Sequence, residues 1–213
     1  DYTNNRIRMV VKTSGTYFGQ AMTANSIYTI AGSGGSLGDG GAATSALVSR
    51  PRGVAVDRDG NMIIGTNNGR RLRFVPRIGG TYFGQTMTAN YIYTIVGTGT
   101  QGSTGEGVLG TLATVNSLQG VSFDSQGNVY LADSSISSIR MVPRISGTNF
   151  SQSMTVGYIY TICGNGFLTP IVNGSVATNS ELGTPQGVIV DSSQNIYYSE
   201  KDFPRVGIVP KTS

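Results

Sequence analysis

A chain of 213 residues with 31 glycines, 38% apolar side chains and only 12% charged ones can bury a core, which excludes an intrinsically disordered chain. The net charge of +4 is mild, and no apolar run approaches the roughly 18 residues of a membrane-spanning helix. Histidine is absent, which removes the commonest general base and the commonest zinc ligand, and the one cysteine, Cys163, cannot build a disulfide framework within the chain.

Residues 1–32 hold a short strand at Arg8-Met9-Val10, an aromatic connection from Gly15 to Thr23, and the phrase Ile27-Tyr28-Thr29-Ile30-Ala31-Gly32. A Gly-rich loop over 32–52 then leads to Gly53-Val54-Ala55-Val56, the turn Asp57-Arg58-Asp59-Gly60-Asn61, and a strand at Arg73-Phe74-Val75. A second connection, Gly80 to Thr88, is followed by Ile92-Tyr93-Thr94-Ile95-Val96-Gly97. The next pass gives Gly120-Val121-Ser122-Phe123, Asp124 to Asn128, Arg140-Met141-Val142, Gly147 to Thr155 and Ile159 to Gly164. A last pass gives Gly187-Val188-Ile189-Val190, Asp191 to Asn195 and Gly207-Ile208-Val209. The Asp turns start at 57, 124 and 191, two steps of 67.

Each period reads as four short strands: β-rich runs too short for helices, separated by turns in which Gly supplies positive φ. Period-2 alternation over Ser138-Ile139-Arg140-Met141-Val142 places Ile139 and Met141 on one face and Arg140 on the other. Four antiparallel strands repeated radially make a propeller blade, so the fold expected is an all-β β-propeller of about three repeats of about 67 residues. The chain is read as one array over 1–213. Residues 1–32 end a first blade, 33–97 and 98–164 form the second and third, and 165–213 give three strands of a last, incomplete one. The loops 32–52, 97–119 and 164–186 are expected to be blade-to-blade crossovers, with Ala42, Ala46 and Leu47 tucked in near Pro51. The acid of Gly38-Asp39-Gly40 becomes Glu106 and is lost around Val172-Asn173-Gly174.

The pattern resembles NHL-repeat β-propellers. It is carried by Ile27 to Gly32, Gly38 to Ala42, Pro51 to Asn61, Ala132-Asp133 and Asn4-Asn5-Arg6-Ile7-Arg8, and it covers essentially the whole chain. The resemblance implies a ring, six-bladed in most relatives. This sequence departs from the pattern at Leu118 for Pro, Gln194 for the turn Gly, Thr66 for Asp, and in the long third-to-fourth-strand insert.

No catalytic, cofactor-binding or metal-binding residue is expected. The recurring Asp57, Asp124 and Asp191 read as turn residues whose carboxylates bond the backbone ahead, rather than as calcium or catalytic groups. Asp1 and Asp133 should hydrogen-bond within their blades. Gly97-x-Gly99-x-x-Gly102 lacks the helix a dinucleotide site needs, and Cys163 reads as a small buried hydrophobe. Candidate interaction residues are Tyr17, Phe18, Met22, Tyr82, Phe83, Met87, Phe150 and Met154 of the inserts, placed at the perimeter, where they either pack on a blade or touch another subunit. A second set, Arg8, Arg73 and Arg140, joined by Lys12, Arg77, Arg144 and Lys211, would form a positive band, either a solvated strand face or a surface for an acidic polysaccharide or other polyanion. A nucleic-acid partner is not favoured, because no dense basic patch is visible.

Residues 1–14 align with 200–213, Lys12-Thr13-Ser14 matching Lys211-Thr212-Ser213. Three repeats do not close a ring of four to eight blades. Two chains could pair into one ring, chains could join end to end by strand exchange, or the sequence could be an excerpt of a longer polypeptide. The function expected is a non-enzymatic, extracellular or surface-displayed binding or structural propeller that associates with itself. The alternatives are a propeller lyase or hydrolase with an Asp-bound metal, and a ring that binds carbohydrate or polyanion.

Overall fold

The computed structural model describes residues 1–166 and 174–211. Val172 and Asn173, where the third loop loses its acid, lie outside the described residues, as do Thr212 and Ser213 of the end-to-end match. The second blade holds Pro51–Val56, Met62–Thr66, Arg71–Val75 and Tyr91–Val96, and the third holds Leu118–Phe123, Val129–Asp133, Ser138–Val142 and Tyr158–Cys163. Successive strands pair antiparallel in chain order. Arg6–Val10 pairs with Ile27–Gly32 at the start, and Pro185–Val190, Ile196–Glu200 and Arg205–Val209 form a three-stranded sheet at the end.

Glycine spacing sets how these sheets meet. A Cβ on Gly53 would lie 2.5 Å from the Gln119 carbonyl oxygen, and one on Gly120 would lie 2.7 Å from that of Gln186. The first strands of successive blades therefore approach at a distance only glycine allows. At the far edge of the blade, Gly32, Gly97 and Gly164 have φ of 91°, 98° and 96°, and a Cβ on each would meet the carbonyl oxygen of Asn5, Arg70 or Ser137 within 2.2 Å. That is why the Ile-Tyr-Thr-Ile phrase ends in Gly each time.

The core is divided among the blade interfaces. One cluster joins Ile7, Met22 and Ile30 to Ala46, Met62 and Ile64; the next joins Ile63, Phe74 and Ile95 to Leu118, Val121 and Leu131; the third joins Ala132, Met141 and Cys163 to Val188, Ile196 and Tyr198. Alternate residues of one strand thus enter different interfaces. Met62–Thr66 and Val129–Asp133 are buried on both faces and read as mostly apolar runs that end in a buried polar residue, Thr66 or Asp133.

The crossover loops do more than cross. Gly41–Ala42 pairs with Tyr91 and Ile92, and Val108–Leu109 with Ile159 and Tyr158, adding a short fifth strand outside each fourth strand. Ala42 is consequently exposed on this strand rather than tucked in, Leu47 is half-buried, and Ala43, Ala46 and Val48 enter the core.

Each Asp turn is a closed hydrogen-bond unit. Asp57, Asp124 and Asp191 each accept from the backbone amide and side-chain amide of the Asn four residues on, at 2.8–2.9 Å. Asn61, Asn128 and Asn195 then accept from the backbone N–H of Arg77, Arg144 and Lys211, tying the first turn to the end of the third strand. Gly60 and Gly127 occupy the left-handed position of this turn with φ of 83° and 80°, and Gln194 is held there at 65°. A side chain in that region costs about 1–2 kcal/mol, so Gln194→Gly is expected to stabilise the last sheet by about 1 kcal/mol. Thermal melting of the two proteins checks this: the variant should melt higher.

Candidate functional site

The insert between third and fourth strands is a small hairpin of its own. Gly15–Tyr17 pairs with Gln20–Met22, Gly80–Tyr82 with Gln85–Met87, and Gly147–Asn149 with Gln152–Met154. The two turn residues both have positive φ: Phe18 and Gly19 at 49° and 73°, Phe83 and Gly84 at 52° and 77°, Phe150 and Ser151 at 47° and 58°. This is the turn whose twist suits a two-residue hairpin, and Phe is a costly choice for it. The gain lies in where the ring goes. Phe83 is buried and meets Phe74 edge-on at 5.4 Å, and Tyr82 packs on the same ring at 5.1 Å. Burying such a ring is worth about 1.5–3 kcal/mol, more than the turn costs.

The hairpin is also tied to its fourth strand. Gln20, Gln85 and Gln152 donate to the carbonyls of Thr29, Thr94 and Thr161, while the hydroxyls of Tyr28, Tyr93 and Tyr160 accept from the amides of Thr23, Thr88 and Thr155. From the next blade, Arg144 stacks over Tyr82 at 4.2 Å, and Lys211 lies over Phe150 at 5.0 Å and reaches Asn149. Of the two roles expected for these residues, packing on a blade is the one the burial supports, and the subunit-contact role is corrected. Met22, Tyr82, Phe83, Met87 and Met154 are buried in blade interfaces, and Tyr17, Phe18 and Phe150 are half-buried against them.

The positive band is corrected too. Arg73 and Arg140 are each 1% exposed. Arg73 donates to the carbonyls of Leu47 and Leu37 and to Asp39 at 2.7 Å; Arg140 donates to the carbonyls of Gly105 and Thr114, with Glu106 at 4.0 Å. Burial lowers the pKa of both guanidiniums, and the loop carboxylates oppose that shift. These arginines pin the crossover loop to the blade. Arg8, at the same strand position, is exposed. The loop acids Asp39 and Glu106, whose departure along the repeat was visible in the sequence, are the partners that the strand pattern by itself did not reveal.

Asp133 and the one thiol lie in the interior. Asp133 is buried, its pKa raised by that burial and held back by the amides of Asn116 and Ser117 and by Arg140. Burial pushes the Cys163 thiol up to about 12. Among the described residues, no three of the metal-ligating side chains gather in one place, and no helix is long and apolar enough to cross a membrane.

What stands open is the end of the last sheet. The outer edge of Arg205–Val209 has no neighbouring strand among the described residues, and Val206 and Ile208 are 72% and 53% exposed. Beside it lie a cleft of about 220 Å³ lined by Cys163, Ser175, Ala177 and Tyr198, and a larger one of about 1060 Å³ that reaches Glu106, Arg140, Phe150 and Val209.

This radial stack of antiparallel sheets is shared with solved structures. A protein of unknown function from Bacteroides thetaiotaomicron is similar with a TM-score of 0.62 at 16% identity, covering 88% of this chain and 40% of that one. The fold is a β-propeller. Nidogen, from a nidogen/laminin complex, is similar to this propeller with a TM-score of 0.52 at 12% identity, over 97% of this chain and 55% of nidogen's. An auxiliary nutrient binding protein from B. thetaiotaomicron gives 0.54 at 13% identity, over 76% and 38%. The chain thus spans 38–55% of the length of these chains. No family model matches the sequence, and no curated protein does.

Truncating the buried ring of the second hairpin tests its role as an interface wedge. Phe83→Ala should cost about 3–5 kcal/mol, whereas Phe150→Ala, on a half-buried ring, should cost distinctly less. Denaturant unfolding of both variants measures the difference, and equal small losses would show that the hairpins lie free of the blades.

Proposed function

We propose that the chain is a non-enzymatic propeller unit of the NHL type, working outside the cell or on its surface as a binding scaffold, and that it associates by accepting a β-strand along Arg205–Val209. The open edge carries this reading. In the third blade, Tyr158–Cys163 lies between Ser138–Val142 and the short strand Val108–Leu109. The residues that correspond in register in the last blade are Arg205–Val209 and Ser175-Val176, and the clefts open along them. The floor is already apolar, with Cys163, Ala177 and Tyr198. An incoming strand would gain ladder hydrogen bonds from the edge and burial from the floor, the usual basis of strand addition.

Other features support the rest of the reading. The NHL-like motif residues have defined work: Gly53 permits the close approach, and Asp57 with Asn61 closes the turn. Histidine is missing from the sequence, and the recurring acids are committed to turns, which supports a binding role over a catalytic one. Low charge and a sequence rich in Thr, Ser and Asn suit an exported scaffold. The strand donor expected is the fourth strand of a second copy, with its hairpin.

Light scattering across a concentration series tests this. The chain should self-associate, a peptide spanning Gly80 to Gly97 should compete, and Val206→Lys with Ile208→Lys should abolish both by charging the edge. A chain that stays monomeric and ignores the peptide would overturn the proposal.

A further inference from the structure

The repeat supplies an internal control for a group of arginines on the face where first and third strands begin. Arg50 corresponds in register to Ser117 and Thr184, Arg52 to Gln119 and Gln186, and Arg70 to Ser137. The architecture is therefore satisfied at these places by small or neutral side chains. Only the second blade carries arginine at all three. The same blade has Thr66 where the others carry Asp1, Asp133 and Glu200. In the last blade, Arg205 pairs with Glu200 at 2.5 Å; its second-blade counterpart, Arg71, has no such acid and turns to the carbonyls of Gly69 and Thr98. One blade has thus gained three cations and lost one anion on a single face, although the other blades fold without arginine at these three places.

The geometry gathers two of the three on one ring, while Arg70 donates to Gln101. The guanidiniums of Arg50 and Arg52 lie 5.7 and 5.3 Å from the centre of the exposed Tyr2 ring, and Arg52 also donates to Gln119 at 2.6 Å. Among the described residues, none of Arg50, Arg52, Arg70 and Arg71 is in a salt bridge. The nearby carboxylate of Asp1 is engaged by the Asn4 backbone and side-chain amides. Arg50 further sits at φ 49°, a strained conformation for arginine, fixed there by its backbone N–H donating to Asn5. The hydrogen bond from Arg52 and the charge of both arginines draw the Tyr2 hydroxyl below its ordinary pKa. Like charges held together on a surface, none of them in an ion pair among the described residues, favour an anionic ligand.

We propose that Tyr2, Arg50 and Arg52, continued by Arg70 and Arg71, form a binding site for an acidic polysaccharide. The arginines would take its carboxylate or sulfate groups in forked hydrogen bonds. The Tyr2 ring offers a face for a sugar. A nucleic-acid track would need more cations and more stacking rings. This site is separate from the strand edge of the last blade and stands without it.

The test is a titration of the full chain with polygalacturonate, which carries carboxylates, and with dextran sulfate, followed at low and moderate salt. Arg50→Asn with Arg52→Gln removes the pair while keeping residues that suit those backbone positions, and Arg70→Ser copies the third blade. Each variant should melt like the parent, and the double variant should bind at least one of the two polymers roughly tenfold more weakly or worse. Arg58→Gln with Arg77→Gln removes the same charge at the opposite end of the blade and should leave binding within about twofold. Equal losses in both pairs would reduce the effect to net charge, and no loss in either would remove the site. Duplex or single-stranded nucleic acid binding more tightly than both polysaccharides, through the same arginines, would overturn the ligand class.

Discussion

The contact of one inner strand with the next, at a distance that excludes any side chain on Gly53 or Gly120, governs the rest of the molecule. Sheets that nearly touch along their first strands and twist away from one another must diverge toward their outer strands. The space that opens there needs filling, and the sequence fills it with a device rather than with larger side chains: a hairpin whose turn residue is an aromatic ring directed inward. The strain of a Phe at positive φ is accepted because the ring closes a gap that would otherwise be a cavity. Where the match is poorer, as at Phe150 and Ser151, the ring is only half-buried and a cation from the next blade covers it.

The same divergence explains the buried arginines. A long crossover has to run from the outer strand of one blade to the inner strand of the next, and its carbonyls need donors. Arg73 and Arg140 reach out of the third strand and supply them, with Asp39 and Glu106 of the loop balancing the charge. Desolvating a guanidinium costs several kcal/mol, so the arrangement is a poor source of stability and a good source of uniqueness: only one loop path satisfies it.

Much of this was legible in the sequence because the repeat multiplies every weak signal. The 67-residue period located the strands and the Asp turns, and the glycine register marked Gln194 as the residue standing in place of the turn glycine, where the structure holds it at positive φ. What was not legible has a common cause. Alternation along Ser138–Val142 assigns Arg140 to a face but does not say what covers that face, and in a propeller both faces are covered. The aromatic inserts looked like perimeter features because their distance from the strands in sequence hid their return into the interface. The short strands Gly41–Ala42 and Val108–Leu109 carry no pattern of their own, being two residues placed by the fourth strand they join.

The interfaces between successive blades are made by corresponding residues, Gly53 against Gln119 and Gly120 against Gln186. Each blade consequently presents on one side the surface it accepts on the other. A duplication of one whole period would inherit a ready neighbour on both sides, without any new complementarity having to arise. The number of blades in such an array is then a matter of gene copying, and packing limits it only through the curvature at which the first strand and the last would meet.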